Sequence, residues 1–209
     1  LNGLSNYLEV VEKFCKETDA KIFGLSVVTP QFPYSRQIIQ IINDTVPGAK
    51  TIGGGPHITS VCAAYKREKK IGLVGRAHRS YGQIMETFTV CCAGDGDEAI
   101  MVAIQDGAIG LIDADNPENE MFLQPHRLNE YPFPARSLIA LEEYNYTIDG
   151  VKATSYLSQL GCCFPCIFCN GRLSPSFRRV RSRSSENLKE EVRQIYNDYQ
   201  YLGLMDYSD

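Results

Sequence analysis

Residues 85–104 read "METFTVCCAGDGDEAIMVAI". An apolar run through Val90–Ala93 reads as a buried strand, the Gly/Asp turn "GDGD" breaks it, and a new apolar helix begins at once. Two stretches on the N-terminal side follow the same grammar. "AKIFGLSVV" (20–28) is a short buried strand, and "YSRQIIQIINDTV" (34–46) carries Ile38, Ile39, Ile42 and Val46 at helical spacing, stopped by Pro47-Gly48. "AKTIGGGP" (49–56) is a strand ending in glycines. "SNYLEVVEKFCKE" (5–17) places Leu4, Leu8, Val11 and Phe14 on one helical face, and "IGLVG" (71–75) reads as a short strand or a buried turn. Strands alternating with helices imply a parallel sheet covered by helices, a doubly wound α/β domain of Rossmann-like type.

The chain is less regular over 106–150, where "DADNPENE" (113–120) is a polar turn and "LNEYPFPAR" (128–136) reads as an extended connector. A new strand, "KATSYLSQLG" (152–161), runs into a cysteine-rich loop. The helix "SSENLKEEVRQIYNDYQ" (184–200) follows, with Ser184 or Ser185 as its cap and Leu188, Val192, Ile195 and Tyr199 as its buried stripe. "YLGLMDYSD" (201–209) is a strand entering a loop, where Asp209 is a candidate to face an active site. The 209 residues hold 44% hydrophobic and 22% charged residues with a net charge of −4, which gives no global argument for nucleic-acid or membrane partners. Eight cysteines that cluster rather than spread, in a chain of this size, favour a reducing cytoplasm over a secreted disulfide scaffold.

Four of those cysteines lie in "GCCFPCIFCN" (161–170). Cys162, Cys166 and Cys169 fit CxxxCxxC, with Cys163 in a spacer position. Three thiolates on one loop suit an iron–sulfur cube with one iron left open. A zinc ion is the second reading and needs a fourth ligand, for which adjacent Cys163 is badly placed; a disulfide is the third.

The wider string "SQLGCCFPCIFCNGR" (158–172) resembles the cluster loop of radical S-adenosylmethionine (radical SAM) enzymes, with Gly161 before the first cysteine and Phe168 before the third. The resemblance implies that Cys162, Cys166 and Cys169 bind a 4Fe–4S cluster, that S-adenosylmethionine chelates the open iron, and that Phe168 lies against its adenine. The bland reading of Phe168 is core packing.

Three further features together resemble the cobalamin-binding domain that precedes many radical SAM domains. They are Ser26 at a strand end, Gly53-Gly54-Gly55 in "TIGGGPHIT" (51–59), and Gly94-Asp95-Gly96 in "AGDGDEA" (93–99). The resemblance makes Ser26, Gly53, Gly54, Gly55, Gly94, Asp95 and Gly96 candidate cobalamin contacts; glycine lets backbone approach a bulky ligand. Asp95 and Asp97 stand where that family has glutamates, and "LNEYPFPAR" resembles its connector. His57 is expected to be structural or to touch the cofactor's tail rather than to ligate cobalt. The segment "AYKREKKIGLVGRAHRSYG" (64–82) has no counterpart in the resemblance.

The resemblance divides the chain into a cobalamin-binding-like domain (1–124), a connector (125–150) and the start of a radical SAM partial barrel (151–209). It implies that a first strand with a DxHxxG loop lies before residue 1, and that the chain is a fragment inactive by itself. The implied function is reductive cleavage of S-adenosylmethionine to a 5′-deoxyadenosyl radical, for methyl transfer to an unactivated centre, with flavodoxin or ferredoxin as electron donor. The alternatives are a radical SAM enzyme without cobalamin, catalysing cyclisation or rearrangement, and a non-catalytic cobalamin- or zinc-binding module. Arg172, Arg178, Arg179, Arg181 and Arg183 crowd one loop. They are expected to contact cofactor or substrate, to lie solvated, or, least favoured, to bind nucleic-acid phosphates. Cys15, Cys62, Cys91 and Cys92 are expected on a helix, a loop and a strand as buried free thiols, and their spacing does not suggest a second cluster. His78 and His126 have no constellation around them.

Overall fold

The computed structural model describes residues 6–164 and 166–208; Leu4 and Asp209 lie outside them. The chain forms two compact units, Leu1–Phe122 with Cys166–Ser176, and Leu123–Pro165 with Phe177–Asp209.

The first unit is a parallel α/β sheet. Its elements in order are α1 (Tyr7–Glu17), β1 (Ile22–Ser26), α2 (Phe32–Thr45), β2 (Lys50–Gly54), α3 (Pro56–Lys70), α4 (Arg76–Thr87), β3 (Val90–Gly94), α5 (Gly96–Ala103) and β4 (Gly110–Ala114). The strands lie in the order β1-β2-β3-β4, all parallel. Strand alternation sends successive side chains to opposite faces. Cys91 and Ala93 therefore join a core with Ile39 and Ile42 of α2, Ile58 and Cys62 of α3, and Ile84 of α4. Val90 and Cys92 join a second core with Ile112, Ala114, and Ala99 and Ala103 of α5. Helices thus cover both faces of the sheet.

Four local expectations are corrected. On α1 the inward positions are Leu8, Val11 and Cys15, while Phe14 points outward. β1 is an edge strand and only half-buried. Residues 71–75 form an exposed turn, with Val74 78% exposed, so "IGLVG" is neither strand nor buried turn. Its role is to close a helical hairpin. Glu68, near the end of α3, accepts backbone N–H bonds from Gly75 (3.1 Å), Ala77 (3.0 Å) and His78 (2.9 Å), satisfying donors that the start of α4 leaves open. His78 also sets Nδ1 3.3 Å from Glu68, so it does have a partner. The fourth correction is β4, a strand within the segment that reads as irregular. In "GLIDA" the apolar run is cut by Asp113 and merges with the polar turn that follows.

The second unit carries β5 (Thr147–Ile148), β6 (Val151–Tyr156), β7 (Gln159–Leu160), β8 (Arg181–Ser182), α7 (Ser185–Tyr199) and β9 (Gly203–Asp206), and the single-turn helix α6 (Pro175–Arg178) straddles the boundary after Ser176. β5 and β6 form a hairpin across Asp149-Gly150, both with positive φ. β6 pairs with β9 in parallel, with α7 between them in sequence: one β/α repeat. Ser184 caps α7, accepting from Asn187 N–H at 3.2 Å. The buried stripe contains a residue that hydropathy hides. Glu191 is 1% exposed and holds two guanidiniums, Arg136 at 2.7 Å and Arg183. Arg136 ends the "PFPAR" connector and also donates to Ser155 O at 2.9 Å, so the connector's arginine binds helix and strand together. An unpaired buried carboxylate would be strongly destabilising, and the two cations remove that cost.

Candidate functional site

Ligands of parallel α/β sheets bind at the carboxyl ends of the strands. In the first unit those ends are Ser26, Gly54, Gly94 and Ala114. Ser26 and Gly54 are register partners. A Cβ on Gly55 would lie 2.7 Å from Ser26 Oγ, so the serine and the glycine turn pack directly together. Gly53 faces the Phe88 ring, 2.5 Å from a Cβ built on it, and Gly94 abuts the Ala114–Asp115 backbone at 2.4 Å; at these positions glycine serves the protein's own packing. A Cβ on Gly54 would make an ordinary contact with Cys92 O at 3.9 Å, and Gly96 faces open space. Asp95 caps α5. Thr59, not singled out by the sequence, staples the two turns: its hydroxyl donates to Gly55 O at 3.1 Å and accepts from Gly94 N–H at 3.0 Å.

Beside this edge, still within the first unit, is a cavity of about 470 Å³. One wall is the first turns of α3, with His57, Ser60 and Val61, and of α4, with Arg76, Ala77 and Ser80. The other wall is the cysteine loop, with Phe168, Cys169, Asn170 and Arg172. The loop is fastened there by Asp115 at the end of β4, whose Oδ1 accepts from Ser174 Oγ (2.6 Å), Ser176 Oγ (2.7 Å) and Ser176 N–H (2.9 Å). Phe168 is 88% exposed, so it is not a core residue. His57 sets Nδ1 3.1 Å from Thr29 Oγ1 and packs on Phe32, and burial lowers its basicity. No hydropathy signal marks Thr29, Ser60 or Asn170 as cavity residues.

The eight cysteines separate by environment. Cys15, Cys62, Cys91 and Cys92 are buried free thiols, with Cys62 on α3 rather than on a loop. Burial pushes Cys62 and Cys91 up to about 12 and Cys92 up to about 11. Cys162, Cys166 and Cys169 are free and half-buried, and Cys163 is exposed. Among the described residues no three His, Cys, Asp or Glu side chains stand together as a metal site. The donor chemistry nevertheless suits an iron–sulfur cluster: accessible thiols, none in a disulfide, on a loop. Gly161, with φ +82, sits where a Cβ would be 2.1 Å from Arg179 O, and Cys162 N–H donates to Phe177 O at 2.9 Å. Cys169 N–H donates to Cys166 O at 3.1 Å, making the turn between these two cysteines.

Arg172, Arg178, Arg181 and Arg183 bond within the protein. Arg178 donates to Cys163 O (2.9 Å) and Phe164 O, and Arg172 donates to Ile167 O (2.6 Å), so both brace the cysteine loop. Arg181 is buried and donates to Leu123 O, and Arg183 is committed to Glu191 and Asn187.

No protein-family description matches the sequence, and no curated protein matches it. Among solved structures, the chain is similar to TsrM of Kitasatospora setae, a radical S-adenosylmethionine methyltransferase bound to tryptophan substrate and a SAM analogue (aza-SAM). The TM-score is 0.60 at 14% identity, covering 98% of this chain and 40% of that one. The likeness is one of fold, and the chain spans well under half the length of that enzyme. No helix among the described residues is long and apolar enough to cross a membrane.

Proposed function

We propose that this chain is part of a cobalamin-dependent radical SAM enzyme. In this reading residues 1–124 are the cobalamin-binding-like domain, 125–150 the connector, and 151–209 the start of the radical SAM domain. Cys162, Cys166 and Cys169 would hold a 4Fe–4S cluster, Phe168 the adenine of S-adenosylmethionine, and the Ser26, Gly53–Gly55 and Gly94–Gly96 edge the cobalamin. When bound, these groups supply the electron that cleaves the sulfonium and the methyl that is transferred to an unactivated centre, with a flavodoxin or ferredoxin as donor. The chain's own work is binding and orientation. Arg178 and Arg172 brace the loop backbone, Asp115 fastens the loop's far end to the sheet edge, and Phe168 offers an exposed ring face for stacking.

One observation carries the reading. The CxxxCxxC loop follows directly on a strand, and its Phe168 and Cys169 line a cavity at the carboxyl edge of a parallel sheet. The fold likeness to a radical S-adenosylmethionine methyltransferase supports it. The test is anaerobic reconstitution of the full-length protein with iron and sulfide, then incubation with S-adenosylmethionine and reductant. Iron, acid-labile sulfide and 5′-deoxyadenosine are expected. Zinc without iron or sulfide would overturn the reading in favour of a binding module.

A further inference from the structure

Two side chains in the first-unit cavity each bury a polar atom that has no hydrogen-bond partner among the described residues. They are His57 at Nε2 and Ser60 at Oγ, each 8% exposed. They stand three residues apart in the first turn of α3, hence on one face of the helix. Buried polar groups are ordinarily paired, so two orphans side by side in a cavity wall mark a place kept for something else.

The chemistry narrows what that is. Nδ1 of His57 is engaged with Thr29 Oγ1, so Nε2 presents either one donor or one acceptor. Burial disfavours the imidazolium. A carboxylate or phosphate offers acceptors only and so limits His57 to its Nε2–H tautomer. A primary carboxamide does not. It offers both a donor and an acceptor, so one end satisfies His57 in either tautomer, and Ser60, which can donate or accept, satisfies the other.

We infer that His57 Nε2 and Ser60 Oγ form a receptor for a neutral primary carboxamide of the bound ligand. The ligand's identity, though not the receptor, rests on the cobalamin reading, since the rim of the corrin ring carries primary carboxamides. His57 is then a binding residue that grips the cofactor's periphery, not an axial ligand of cobalt.

The full-length protein is titrated with hydroxocobalamin by equilibrium dialysis, as wild type, His57→Phe and Ser60→Ala, with circular dichroism checking the fold. Each substitution is expected to raise Kd about tenfold, the loss of one or two hydrogen bonds. Unchanged Kd values in variants of wild-type fold would overturn the receptor while leaving the cobalamin reading standing. So would nitrogen hyperfine coupling from 15N-labelled His57 on bound cob(II)alamin. If wild type takes up no cobalamin, the cobalamin reading fails, and a second readout decides the receptor alone. The His57 Nε2 resonance, identified with His57→Phe, is followed during titration with propionamide and with propionate. Propionamide is expected to shift it at lower concentration than propionate; no shift with propionamide, or a preference for propionate, overturns the inference.

Discussion

Cys91 and Cys166 are the same side chain in opposite situations. Cys91 sits in the centre of the parallel sheet with its Sγ against Ile84 O, 3.5 Å away, and burial holds the thiol at about 12. Cys166 sits half-buried on a loop, ahead of the turn that leads to Cys169. A thiol in the first setting is a small apolar filler; one in the second can give up its proton and ligate. Residue type nominates eight candidates, and environment divides them four and four.

The sharpest way to break that division is to remove thiols singly. Cys162→Ala, Cys166→Ala and Cys169→Ala are each expected to abolish the iron–sulfur absorbance of the reconstituted protein, while Cys163→Ala leaves it intact. A surviving chromophore in Cys166→Ala would reassign the ligands. Labelling of the metal-free protein with a chromogenic disulfide at pH 8 gives the next largest effect. At a pKa near 12, as for Cys62 and Cys91, only about one thiol in ten thousand is ionised, and at about 11, as for Cys92, about one in a thousand. The four loop thiols are expected to react promptly on access, Cys62, Cys91 and Cys92 at the rate of unfolding, and Cys15 slowly because it is buried. Six fast thiols would mean that the sheet core is looser than described.

Glu191 extends the comparison to carboxylates. Glu191→Ala leaves Arg136 and Arg183 without their buried counter-charge and is expected to cost about 3 kcal/mol in urea unfolding. A loss under about 1 kcal/mol would mean that water reaches the pair. Glu68 is the milder case. Backbone N–H bonds, that of Ala77 foremost, hold its carboxyl down from 4.5 to about 2. A group with a depressed folded-state pKa adds stability above its unfolded pKa and loses it as pH falls through the folded one. Wild type is thus expected to lose stability between about pH 4.5 and 2 more steeply than Glu68→Gln, measured as the urea midpoint across that range. Parallel curves would mean that the α4 cap contributes nothing.

Much of the architecture was legible in local pattern. Ile39, Ile42 and Val46 announce α2, Ser184 announces the cap of α7, and the glycine turns at 53–55 and 94–96 mark strand ends that do lie on one edge. The misses share a physical cause. β4 is as long as β1, β2 and β3, but its apolar run is cut short by Asp113 and leads straight into the polar turn "DADNPENE". Residues 71–75 are apolar but exposed, because they close a hairpin whose lock, Glu68, is a charged residue. Hydropathy places Glu191 on the wet side of α7, and Arg136, 55 positions earlier, together with Arg183 makes its burial tolerable.

By itself, then, the sequence determined what can be written within a window of a few residues: the alternation of strand and helix, the caps and turns, and the CxxxCxxC spacing. Tertiary structure alone decided which thiols are filler and which are accessible, which glycines serve packing, and that His57 Nε2 and Ser60 Oγ stand together without partners among the described residues. Burial and hydrogen-bond satisfaction belong to pairs of residues distant in the chain, and no local pattern records them.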